Sequence, residues 1–353
     1  MKKLLAATIL SVSISLAAQA ENKGVDLNKY ATLVYKNYST AYSDAVELQK
    51  SVDALVASPT EENLAAAKTS WIKSRESYSP TEAYRFYEGP IDASEANIEG
   101  ELNSWPLNEA YIDSIVGGKE KITAESLAKN NQLNDESDVS TGYHAIEYLL
   151  WGKDLSLESA GKRPATYFAE NANAKAYLKQ VTDLLVTDLE KVKVQWEPNK
   201  DNYAKKFIAG GNESATGAFS ALATLSGFEL ASERMGTGLD SGDQEDEQSC
   251  FSDNTHRDFI RDQDGIAEVY FTVYADAVKA NNPALATEIE NQVKATTAAV
   301  AAIPAPIDNI LASKKGSESR DKMEAAVTAL QKQAVLFEKA GKELGLEVKI
   351  MSE

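Results

Sequence analysis

The spacing of the apolar residues constrains this chain most. From Leu27 onward, long segments place them every three to four positions, and no stretch alternates apolar with polar residues as a half-buried strand would. In the first segment Leu27, Tyr30, Val34, Tyr38, Ala41, Ala45, Leu48, Val52 and Leu55 form one stripe that ends near Ser58-Pro59. Pro59-Thr60-Glu61-Glu62 opens a second helix carrying Leu64, Ala67, Trp71 and Tyr78. Further helical patterns run over 81–88, 108–115, 138–151, 171–196, 199–234, 256–280, 283–302, 304–313 and 317–344. The expected fold class is all-α.

Three segments interrupt the pattern. Residues 88–118 contain Gly89-Pro90, Gly100, Trp105-Pro106 and Gly117-Gly118, and their aromatic content predicts an ordered connection. Residues 236–255 are irregular and strongly acidic, and 154–164 read as a linker between two halves. Tyr42-Ser43-Asp44-Ala45-Val46 is echoed by Tyr274-Ala275-Asp276-Ala277-Val278. The expected architecture is two helical bundles related by internal duplication, packed side by side, over 21–160 and 161–353.

The N-terminus reads as an address. Lys2 and Lys3 precede an apolar run from Leu4 to Ala18, and Ala18-Gln19-Ala20 is a small-x-small cleavage signal. Residues 1–20 are therefore expected to be a secretory signal peptide, and the protein to be exported and periplasmic. No later stretch approaches the ~18 apolar residues of a spanning helix. A net charge of −18 argues against nucleic acid and anionic membranes as partners, and is compatible with cations. The one cysteine, Cys250, leaves no internal disulfide, so a packed core must hold the fold.

The chain has two histidines. His144 lies in Gly142-Tyr143-His144-Ala145-Ile146-Glu147, with Glu147 three positions on and hence one helical turn away. Such a pair can supply two metal ligands from one rigid element. It can equally be a His–Glu hydrogen bond between two buried polar groups. With so few histidines, further ligands would be mostly carboxylates, which suits iron, manganese or calcium-like ions. His256 follows an acidic loop, behind Ser249-Cys250-Phe251-Ser252-Asp253-Asn254-Thr255. Asp253 or Asn254 is expected to cap the helix that begins there. The chain lacks H-E-x-x-H and G-x-S-x-G, and Ile260 breaks the calcium-loop pattern before Gly265. Cys250 beside Phe251 reads as a small hydrophobe sooner than as a nucleophile.

The segment 142–152 resembles the G-x-H-x-x-E motif of the imelysin family, exported bacterial proteins that include an iron-regulated protein A branch and an insulin-cleaving membrane protease. Trp71 to Asp92, with its Trp-x-x-x-Arg and Gly-Pro-Ile-Asp, and Glu101 to Asp113, with Asn-x-Trp-Pro, are similar to the family's segments in the same order. Ser226 to Met235 and Cys250 to Asp258 resemble the second half of the iron-regulated branch. The resemblance implies two duplicated bundles with a site between them. That site would draw on Arg75, His144, Glu147, Glu229, Arg234, Ser252, Asp253 and His256, with Trp71 and Trp105 in the wall. The branch often has His where this chain has Gln248. Two functions are implied. One is iron uptake or homeostasis through a metal ion or metal-bearing ligand, coordinated by His144, Glu147, Asp253 and His256 and passed to a membrane iron-transport component. Iron is the expected metal. The alternative is a metallopeptidase with Glu147 as base or ligand.

Overall fold

The helices begin where short polar side chains meet free backbone N–H groups. In the computed structural model, which describes residues 23–94 and 97–351, Asp26 caps helix α1 (Leu27–Ala57) by accepting from Asn28 N. Thr60 caps α2 (Glu61–Tyr78), whose first turn carries Glu61 and Glu62 against the positive end of the helix dipole. Then follow α3 (Gly142–Trp151), α4 (Ala172–Gln195), α5 (Asn212–Thr224), α6 (Thr255–Val269), α7 (Pro283–Ala301) and α8 (Glu318–Leu344). The signal peptide expected at 1–20 lies outside the described residues. Among them there is no strand, so the fold is all-α. No helix among them is long and apolar enough to cross a membrane.

The helices sort into two groups of neighbours. α1 packs on α2 and α4, and α3 packs on α2 and α4. α8 packs on α5 and α7, and α6 packs on α7. α6 joins the groups by lying against α2 and against the 3-10 turn Ser79–Tyr84. One large apolar cluster runs through both groups, and a smaller one gathers Leu230, Met235, Phe259, Ile307, Met323 and Leu330. Trp71 is fully buried, edge-on to Trp151 at 5.2 Å and Tyr143 at 6.3 Å. Burying such a ring stabilises by roughly 2–3 kcal/mol.

The departures from the sequence reading have local causes. The pattern at 81–88 is a 3-10 turn that ends at Tyr84. The helix expected over 304–313 begins only at Asp308, because Pro304 and Pro306 supply no N–H to a preceding turn. The run expected over 199–234 breaks at Gly210-Gly211, where Gly211 takes φ +56°, and then continues past 234 as a π-helix, Leu225–Gly236. A second π segment, Tyr270–Tyr274, links α6 to Ala275–Asn281.

Candidate functional site

α3 is buried at every position, so His144 and Glu147 are held largely out of water. Its start is fixed by Gly142 at φ +80°, where a Cβ would fall 2.4 Å from the Leu102 carbonyl oxygen. Only glycine lets the helix approach that loop so closely. His144 and Glu147 then face each other one turn apart, with His144 Nδ1 2.9 Å from Glu147 Oε2. The other carboxyl oxygen of Glu147 accepts from Ser252 N at 2.9 Å and from Ser252 Oγ at 2.7 Å. Ser252 thus ties the second irregular segment to α3.

This pair is not an ordinary ion pair. Burial, with help from Arg75 and Arg234, pushes His144 well below its usual pKa. Burial pushes Glu147 up to about 8, although the Ser252 bonds favour its charged form. The geometry alone would allow imidazolium and carboxylate, but desolvation outweighs that pairing and the imidazole is neutral. With Nδ1 taken by Glu147, Nε2 is the free ring nitrogen. It is buried and has no hydrogen-bond partner.

His144 lines a cavity of ≈ 180 Å³. One side comes from the first half of the chain, through Trp105, Glu109 and Asp154. The other comes from the acidic loop, through Asp243, Glu247 and Gln248. Sites for drug-sized ligands occupy ~300–1,000 Å³, so this cavity suits an ion or a small chelate and is too small for a haem-like group. Gln248 Oε1 accepts from Arg234 Nη1 at 2.9 Å, and its buried Nε2 is unpartnered.

The remaining expected residues fall into neighbouring groups. Arg75 Nε donates to Asp258 Oδ1 at 3.0 Å, and Nη1 donates to Asn103. Arg234 sits among Glu82 at 2.6 Å, Glu229 at 2.9 Å and Asp262 at 3.0 Å. Glu229 and Arg234 are five positions apart, which the wider π turn brings close to one face. Burial opposes the charge of Glu82, yet Arg85 and Arg234 outweigh it and hold the carboxyl down at about 2. Trp105 is half-buried in the cavity wall, whereas Trp71 is in the core. His256 is half-buried on α6, with Nε2 unpartnered. Neither Asp253 nor Asn254 caps α6 by its side chain; Asn254 donates instead to Asp258 at 3.1 Å. Burial, then Glu147 and Glu247, push the Cys250 thiol well up, which leaves it a poor nucleophile.

Asp253 lies elsewhere. Its carboxylate gathers with those of Asp154 and Asp308, one ligand atom from each lying within 4.8 Å of the others. This set does not include His144, Glu147 or His256. The sequence reading missed Asp154, Glu247 and Asp308, and also Glu82, Asp258 and Asp262. One signal was available: Pro306-Ile307-Asp308 repeats Pro90-Ile91-Asp92 of the Gly-Pro-Ile-Asp loop.

The family model described as Imelysin, a peptidase family by its label, matches residues 34–337. Iron-regulated protein A of Synechococcus elongatus is 25% identical over 321 residues, spanning 84% of this chain and 80% of that protein. A Parabacteroides distasonis crystal structure named for an iron-regulated protein A precursor superposes with a TM-score of 0.75 at 19% identity, covering 92% of this chain and 97% of that one. At that identity the likeness shows the fold.

Proposed function

Since the chain belongs to the imelysin family, we propose that it serves iron uptake or homeostasis by holding a metal ion or a small metal-bearing ligand in the cavity beside His144. One observation carries the reading. His144 keeps a buried, unpartnered Nε2 on a cavity wall while its other nitrogen is fixed by Glu147. Metal-binding histidines use this arrangement: a carboxylate behind the ring sets its orientation and its tautomer. Here Ser252 in turn fixes the carboxylate. A bound transition metal, iron being the expected one, would supply an electron-pair acceptor for Nε2.

The chain offers one nitrogen at that point. A hydrolytic metal centre takes three protein ligands and an open position. Among the described residues, the acidic and imidazole groups that converge within 4.8 Å are Asp154, Asp253 and Asp308, without His144. That supports a ligand bringing donors of its own over the metallopeptidase alternative. Export to the periplasm, hand-over to a membrane iron-transport component and descent of the two bundles from one duplicated unit belong to the same proposal. The repeated Pro-Ile-Asp triplet supports the last of these.

The test is a metal-binding titration with ferric citrate and with ferrous ion. His144→Ala is expected to abolish binding and Glu147→Gln to weaken it at least tenfold, with folding retained in both. Below pH 8 the wild-type pair must release the proton held by Glu147 before Nε2 is freed as a lone pair, so affinity should rise with pH and level off near 8. Unchanged binding in both variants would make the pair structural. Metal-dependent peptide cleavage lost in Glu147→Gln would transfer the site to the peptidase reading.

A further inference from the structure

We propose a second, separate site: a calcium-class divalent cation held by Asp154, Asp253 and Asp308, with Glu247 as a further negative charge nearby. The three aspartates come from distant parts of the chain. Asp154 follows α3, Asp253 precedes α6, and Asp308 opens the short helix Asp308–Leu311. One oxygen from each lies within 4.8 Å of the others, a separation that one ion with oxygens at ~2.3–2.6 Å can bridge. All donors are carboxylate oxygens, which select a hard cation over copper or zinc.

Clustered acids alone would prove nothing. The decisive observation is what surrounds them. Asp308 is 1% exposed, and neither of its carboxyl oxygens has a hydrogen-bond donor. Glu247 is 4% exposed and only the Thr255 hydroxyl favours its charge; its strongest charged neighbours are Asp308, Asp253 and Asp154. Asp253 Oδ1 is buried without a partner. Asp154 is the best supplied, by Ser156 N at 3.1 Å and Gln244 Nε2 at 2.6 Å. None of the four takes part in an ion pair among the described residues. Orphaned buried carboxylates cost stability unless something positive meets them, and a divalent ion among the three aspartates would meet those directly and offset the charge of Glu247 beside them. Because Asp154 and Glu247 also line the cavity beside His144, the cation would lower the negative charge of that wall.

The experiment follows thermal unfolding of the purified, chelator-stripped protein against calcium and magnesium, in wild type, Asp308→Asn and His144→Ala. In wild type, calcium at one hundred times its Kd is expected to raise Tm by about 3–5 °C. His144→Ala should keep that response in full. Asp308→Asn should show a higher Tm than wild type without cation, since a repulsion is removed, and at least a tenfold weaker calcium response. No calcium shift in wild type would overturn the proposal, as would an equal shift in Asp308→Asn. An equal response to magnesium would overturn the calcium-class assignment. Because His144→Ala reports on the other site, the two readings fail independently.

Discussion

Two groups of acids, one buried and one half-buried around Asp308, lie a few residues apart in this protein, and they are treated in opposite ways. Around Arg75 and Arg234 each carboxylate meets a cation. Asp258 takes Arg75, Ser79, Asn254 and Ser249, while Glu82 takes Arg85, Arg234 and Asn103. Around Asp308 the carboxylates meet one another. Burial and the neighbouring aspartates push Asp253 up to about 7, and burial and Asp154 push Asp308 up to about 6. Glu82 sits at about 2 with equal or greater burial. For Glu82 the partners, more than the depth, set the charge state; for Asp262, 3.0 Å from Arg234, burial still wins and pushes the carboxyl well up. A matched network spanning α2, the Ser79–Tyr84 turn, the π-helix and α6 clamps the two helical groups together; an unmatched one waits for a ligand.

The largest effect should come from removing a matched cation. Arg234→Met leaves Glu82, Glu229 and Asp262 without their shared guanidinium, and is expected to cost about 3–5 kcal/mol at pH 7 in urea denaturation. The loss should shrink at pH 4, where the stranded acids can take up protons. A loss under about 1 kcal/mol at pH 7 would show that the network is not a clamp.

The unmatched group should respond with the opposite sign. Asp308 and Asp253 have raised pKa values, so their contribution to stability is full below the unfolded value near 3.8 and is lost as pH rises through about 6 and about 7. Without divalent ions, Asp308→Asn should match wild type near pH 4 and exceed it by about 2 kcal/mol above pH 7. A pH-independent difference between the two would mean that the repulsion is not felt.

The smallest effect should come from a matched pair at the surface. Arg257 forks onto Glu76 at 2.5 and 2.8 Å and links the same two elements, α6 and α2, but its side chain is 45% exposed. Arg257→Ala is expected to cost under about 1 kcal/mol, and less in high salt. A loss comparable to that of Arg234→Met would mean that burial does not set the strength of these pairs.

The candidate site was only partly legible in the sequence. Spacing predicted that His144 and Glu147 face each other, because one helical turn is a local matter, and Gly142 marked the close approach. The family resemblance added Ser252, which the structure sets on Glu147. Neither source separated Asp253 from the histidine or drew in Asp308, whose partner Asp154 lies on the far side of the acidic loop in sequence.

Local sequence was enough for most of the long helices and the apolar faces they bury; the side-chain caps at Asp26, Thr60, Asn171 and Ser317 are equally local, though the cap expected at Asp253 or Asn254 does not form. These follow from hydrogen bonds and side-chain spacings within a few residues. Which charge meets which was settled by packing. Arg234 reaches Glu82 across 152 positions and Arg75 reaches Asp258 across 183. Asp154, Asp253 and Asp308 meet only because three separate segments converge. A charge has no periodicity to betray its partner; its energy depends on distance and dielectric, and both are set only when distant segments are packed together.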